Sequence, residues 1–152
     1  MAKWIPLPVA LVLLAGCGQP AVETPDVGLL HLGQVRFQGL GGTAVLRLRL
    51  GNPNPDPVVL QGVRVQLEAN DSRFCKGMTG VDKPIPPYEH LEVNVPASLS
   101  NLALIRAAAS SAMSGKIQYR MRTSLTFEDH EGTRHTRTET KDGDLDAGVL
   151  KR

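Results

Sequence analysis

The chain has 152 residues, with 17 Lys and Arg against 15 Asp and Glu, so its formal charge is only +2 and no block of like charge runs through it. One Trp, two Cys and 4% aromatic residues exclude both an aromatic-studded basic surface for nucleic acid and a disulfide framework. The length suits one domain with its own core.

The chain opens with Lys3, an apolar run from Trp4 to Leu14 broken by Pro6 and Pro8, and then Ala15, Gly16 and Cys17. That run is too short to span a bilayer. A Cys directly after Leu14-Ala15-Gly16 resembles the bacterial lipoprotein signal. The resemblance implies a signal peptide over residues 1–16, cleavage between Gly16 and Cys17, and lipid on Cys17 with acyl chains such as palmitate. Two or more chains make a stable membrane anchor where one is marginal. Gly18, rather than Asp, follows. In an organism that sorts lipoproteins by that position, this resembles the pattern for an outer membrane, facing the periplasm; otherwise the expected site is the outer face of the plasma membrane. With Cys17 acylated, Cys75 is the only remaining thiol, read as a small, partly buried apolar residue.

Residues 17–26 hold Gly, Gln, Pro, Glu, Thr and Asp with little to bury, and read as a flexible tether. The domain is expected over 27–141. Apolar runs between Leu29 and Phe37 precede a Gly39-Leu40-Gly41-Gly42 break, after which Leu46, Leu48 and Leu50 alternate with Arg47 and Arg49, the period of a half-buried strand. Gly51-Asn52-Pro53-Asn54-Pro55-Asp56-Pro57 must stop that strand and turn the chain. Val63, Val65 and Leu67 give the next strand and Asn70-Asp71-Ser72 a turn. Phe74 to Val81, with two glycines, reads as a short, weakly paired strand, and Pro84 to Pro87 as a crossover or sheet edge. Leu91, Val93 and Val95 alternate next. Ser98 to Ser114 switches to helical period, with Leu102, Ile105 and Ala109 or Ala112 on one face and Gly115 at the stop. Ile117 to Leu125 alternates over a long strand, Glu128 to Gly132 turns, and Thr133 to Lys141 returns polar on both faces, as an edge strand would. Residues 142–152 read as a polar tail. About seven short strands with turns near every ten residues and one helix suggest an all-β sandwich.

Asn52-Pro53-Asn54-Pro55, Ile85-Pro86-Pro87, Val93-Asn94-Val95-Pro96, and Gly115 leading to Ile117 and Tyr119 follow one another in an order that resembles the type-2 late embryogenesis abundant family, or WHy domain. The resemblance covers about Val27 to Lys141. It implies a Greek-key β-sandwich of fibronectin or immunoglobulin type with one crossover helix, and a link to desiccation or other stress.

Catalytic chemistry finds no purchase in these residues. His130 and His135 straddle a turn without the close ligand spacing of a metal site, and read as solvated turn residues. Asp142, Asp144 and Asp146 lack the downstream Glu of a calcium loop. No serine sits in a Gly-x-Ser-x-Gly elbow, and no glycine-rich phosphate loop precedes the helix. The expectation is a monomeric, non-enzymatic protein with no cofactor beyond its covalent lipid and no nucleic-acid partner. Arg47, Arg49, Arg64, Arg120 and Arg122 are expected to share an outward sheet face open to lipid head groups or to a protein partner. Its function is expected to be protection of stress-labile client proteins or membrane at the cell envelope; the alternative is an accessory subunit docking into an envelope assembly.

Overall fold

The computed structural model describes residues 21–110 and 113–146. Its elements are β1 (Asp26–Gln38), β2 (Gly41–Gly51), β3 (Val58–Ala69), β4 (Ser72–Ile85), β5 (His90–Ser100), α1 (Asn101–Ser110), β6 (Lys116–Glu128) and β7 (Arg134–Asp146). All seven strands join one antiparallel sheet in the order β1-β2-β5-β4-β3-β6-β7. The sheet is mostly β structure curled around a single core.

Alternation builds the inner surface. Leu46, Leu48 and Leu50 on β2, Val93, Val95 and Leu99 on β5, and Leu125 and Phe127 on β6 point inward, while Arg47, Arg49, Glu92 and Arg122 point out. On β3 the phase changes once. Val58 and Leu60 are buried, then Val63, Val65 and Leu67, because the pairing slips between Leu60 and Gly62 against both β4 and β6. The extra residue of a bulge restores the apolar set to the core side. Asn70 and Asp71 both adopt positive φ, as a tight hairpin turn between β3 and β4 requires.

The curl comes at the β4–β5 junction, where only Cys75 to Gly77 pair with Leu99 to Ala97. Here β4 leans in so closely that a Cβ on Gly77 would lie 2.6 Å from the Pro96 carbonyl oxygen, so only glycine fits. The same contact shows that the Pro96 backbone faces β4 and not β2, which lets a proline sit inside β5 without removing a donor from the β2–β5 ladder. At the far edges, Lys141 on β7 donates to the Asp26 carboxylate and, at 3.0 Å, to the Val27 carbonyl of β1. The first and last strands of the sheet thus meet.

Three elements differ from expectation. β4 is a long strand paired with β3 from Ser72 to Ile85, and takes in Pro84 because its lower half has no ladder on the other side. β7 runs on to Asp146, since Lys116 to Arg120 offer partners to residues 142–146, read as tail from their polarity. The helix is shorter than Ser98 to Ser114 and turned. Ala103, Leu104 and Ala107 are buried, while Leu102 and Ile105 are 54% and 65% exposed. The buried face is thus two alanines beside Leu104.

Candidate functional site at the N-terminal end of the domain

β2 ends in a segment where Pro53, Pro55 and Pro57 fix φ and supply no N–H, so side chains must satisfy the backbone. Asn52 and Asn54 do so from buried positions. The Asn52 amide nitrogen donates to the carbonyls of Asp56 at 2.9 Å, Ile85 at 3.1 Å and Pro86 at 3.3 Å, tying the β2–β3 turn to the end of β4. Its oxygen accepts from the Asn54 backbone N–H at 3.0 Å and the Asn54 amide at 2.9 Å. Asn54 then reaches the N-terminal lead: its oxygen accepts from Glu23 N at 2.8 Å and its nitrogen donates to Glu23 O at 2.9 Å. A side-chain amide here replaces a neighbouring strand.

The consequence is mechanical. Glu23 is clipped, Pro25 is buried and Val22 packs against the core, so residues 22–25 belong to the folded unit, although their composition reads as part of a flexible tether. The lead therefore leaves the domain at the end formed by the β2–β3, β4–β5 and β6–β7 connections. The helix caps the opposite end, where the Asn101 amide nitrogen donates to Gly39 O at 2.7 Å.

Titratable groups gather around the same turns. Asp129 Oδ1 accepts from the N–H groups of Glu131 and Thr133, both at 2.9 Å, and Oδ2 lies 2.8 Å from His135 Nε2. The hydrogen bond with His135, then that from Thr133, holds the Asp129 carboxyl below the usual carboxylate range against a smaller opposing effect of burial. His135 in turn stacks on Phe127, with centroids 5.3 Å apart. His130 sits between Asp56 at 3.5 Å and Glu131 at 3.8 Å. These contacts fix the turn. Among the described residues no three of His, Cys, Asp and Glu are grouped to hold a metal ion.

Gly16 and Cys17 lie outside the described residues. The five arginines are all exposed and stand in two groups along the sheet. Arg47 and Arg49 stand on β2, where Arg47 pairs with Glu92 at 3.0 Å and Arg49 lies 3.1 Å from the His90 ring. Arg64, Arg120 and Arg122 stand on β3 and β6, separated from β2 by β5 and β4 along the sheet. Arg120 pairs with Asp142 at 3.0 Å, which raises its pKa. Asp142, Asp144 and Asp146 face Arg120, Gln118 and Lys116 in register on β6. Arg64 and Arg122 have no carboxylate partner among the described residues. Cys75 is buried, and burial pushes its thiol up to about 12, so thiolate chemistry is suppressed. Alternation locates each arginine on a strand but not which strands adjoin. The two buried asparagines carried a readable sign, a pair of amides in a run of prolines that cannot donate.

The fold and this end define a mostly-β domain whose N-terminal lead is tied in by side-chain amides. A family model described as Late embryogenesis abundant protein matches residues 47–141, more than half of the chain, and the chain belongs to that family. It is a family of stress- and desiccation-related proteins, generally non-enzymatic. No curated protein matches. Among solved structures, the chain is similar to a protein of Arabidopsis thaliana determined in solution, with TM-score 0.65, 12% identity and 83% of each chain covered. An X-ray structure of a structural genomics target gives TM-score 0.51 and 12% identity over 83% of this chain and 88% of that one. A putative late embryogenesis abundant protein solved in solution is 17% identical with TM-score 0.47, covering 82% and 71%. At these identities the likeness to the first two is one of fold.

Proposed function

We propose that the protein is a lipid-anchored, non-catalytic module of the cell envelope that protects neighbouring proteins or membrane during water loss. Membership of the late embryogenesis abundant family carries the protective part of this reading. Cys17 after Leu14-Ala15-Gly16 supports the anchor. The clip at Glu23 fits it, because only the few residues between Cys17 and Val22 would separate lipid from folded domain, on the order of 17 Å when extended. The domain would then stand with its asparagine-tied end near the bilayer, as a monomer with no cofactor. The strand order β2-β5-β4-β3 supports a Greek-key sandwich of fibronectin or immunoglobulin type.

Intact mass and membrane partition of wild type beside Cys17→Ala test the anchor: acyl mass and sedimentation with membranes should appear in wild type only. Drying a labile enzyme with and without the purified protein tests protection, which should exceed that of an inert β-sandwich at equal mass. Failure of either refutes its half.

One observation favours docking into an envelope assembly as a second reading. Leu40, Leu102, Ile105 and Met113 are exposed around the helix end, remote from the N-terminal lead. A single stoichiometric partner crosslinked in native membranes, and lost on Ile105→Gln, would select it.

A further inference from the structure

The outward face of β4, β3, β6 and β7 carries a shallow hollow of about 440 Å³ floored by Gly62 and Gly80, which stand opposite each other across the β3–β4 ladder. Packing does not demand glycine at either place. Neither has a positive φ, and an added Cβ would meet nothing closer than 3.6 Å at Gly62 and 3.9 Å at Gly80. Their missing side chains open the hollow, and nothing else in the fold uses that space.

Around the floor the register sets a definite chemistry. Gly62 faces Thr126, and Thr126 faces Thr136 with the two hydroxyls 3.4 Å apart. In the next row Met78, Arg64 and Ser124 lie side by side, with Met78 61% exposed. One row further, Lys76, Gln66 and Arg122 do the same. No carboxylate lines the hollow. Arg64, Arg122 and Lys76 are exposed and pair with no carboxylate among the described residues, whereas Arg47 and Arg120 are neutralised locally.

We propose that this face binds an acidic polysaccharide, with one sugar ring in the hollow and its carboxylate on Arg64. Hydroxyls hydrogen-bond to a polyol ring, the Met78 thioether and the glycine backbone receive its C–H face, and the guanidinium takes a carboxylate in bidentate fashion. Arg122 lies diagonally across the strand pair from Arg64, at roughly 7–8 Å between backbones. With Lys76 it sets cations at a spacing that meets charges repeated along a chain. A lone anion would use one of them. The inference does not depend on the anchor at Cys17.

Calorimetric titration of the full-length protein in detergent, at low salt, with an alginate hexasaccharide tests it against maltohexaose as the neutral probe and against micelles of the same detergent doped with phosphatidylglycerol. The uronate oligomer should bind and maltohexaose should not. Arg64→Gln should weaken binding about tenfold or more, as loss of a charge-assisted contact does. Gly62→Val, or Gly80→Val should the first fail to fold, should weaken it comparably by filling the hollow. Arg47→Gln, on β2, should leave affinity within about twofold. The proposal falls if the oligomer does not bind, if the filled hollow binds as well as the open one, if Arg47→Gln weakens binding as much as Arg64→Gln, or if the phosphatidylglycerol micelles displace the oligomer.

Discussion

The two ends of the sheet are held by opposite means. At the N-terminal end two buried amides tie the β2–β3 turn, the end of β4 and the N-terminal lead together. At the other end α1 lies on the sheet through Ala103, Leu104 and Ala107, and its apolar residues Leu102 and Ile105 face outward. Hydrogen bonds are directional, so the first end admits one arrangement of its parts. Apolar contact is not, so the second depends on which of two apolar faces fits more closely against the strands.

The sharpest way to break the contrast is Asn52→Ala. The carbonyls of Asp56, Ile85 and Pro86 and the donors of Asn54 lose their partner together, in a buried site. Each such group left unsatisfied costs about 1–3 kcal/mol, and with some gained back by water the net should be roughly 3 kcal/mol. Denaturant unfolding reads it directly, and the lead should become a protease site near Glu23. Loss of under about 1 kcal/mol would show that proline stiffness alone holds the turn. Leu104→Ala, at the other end, should cost about 2 kcal/mol, toward the low end for a buried leucine because a short terminal helix can settle into the space. It should leave proteolysis at Glu23 unchanged.

These ends also mark how far the residues speak for themselves. Alternation in Leu46, Leu48 and Leu50 or in Val93 and Val95 has one meaning, since a strand with one polar face can be buried only one way. So the strands and the edge position of β7 were legible. Leu102, Ile105 and Ala109 make as good a helical stripe as Ala103, Leu104 and Ala107, and only the close approach of the sheet chooses between them. The slip at Leu60 and Gly62, the admission of Pro84 into β4, and the division of the arginines between β2 and β3 with β6 all depend on which strands adjoin. Period-two pattern contains none of that. Residues 22–25 escape the pattern for a related reason: the side chain that clips Glu23 belongs to Asn54, 31 positions away, and nothing in the lead itself is apolar enough to announce folding.

A smaller effect at the polar end comes with pH. Because its folded pKa lies below the ordinary carboxylate value of about 3.9, Asp129 contributes stability that is fully present above that value. It is lost as pH falls through the lowered folded value. Asp129→Asn should therefore be less stable than wild type at neutral pH, and the two unfolding curves should converge on acidification. A gap that stays constant to strong acid would mean that the carboxyl's charge plays no part and that the turn needs only its hydrogen bonds.

The smallest effect should come one residue from one of the larger ones. Ile105 adjoins Leu104, yet its side chain is 65% exposed where Leu104 is 4% exposed. Ile105→Gln removes little buried surface and keeps a good helix former, so unfolding free energy should stay within about 0.5 kcal/mol of wild type. The comparison is strict, since the two positions share one helix backbone and differ in burial. If Ile105→Gln cost as much as Leu104→Ala, the helix would sit with its other face inward, and the division of Leu102 and Ile105 from Ala103, Leu104 and Ala107 would be reversed. If stability holds while crosslinking to a partner in native membranes disappears, the outward face is kept apolar by what it docks against and not by the fold.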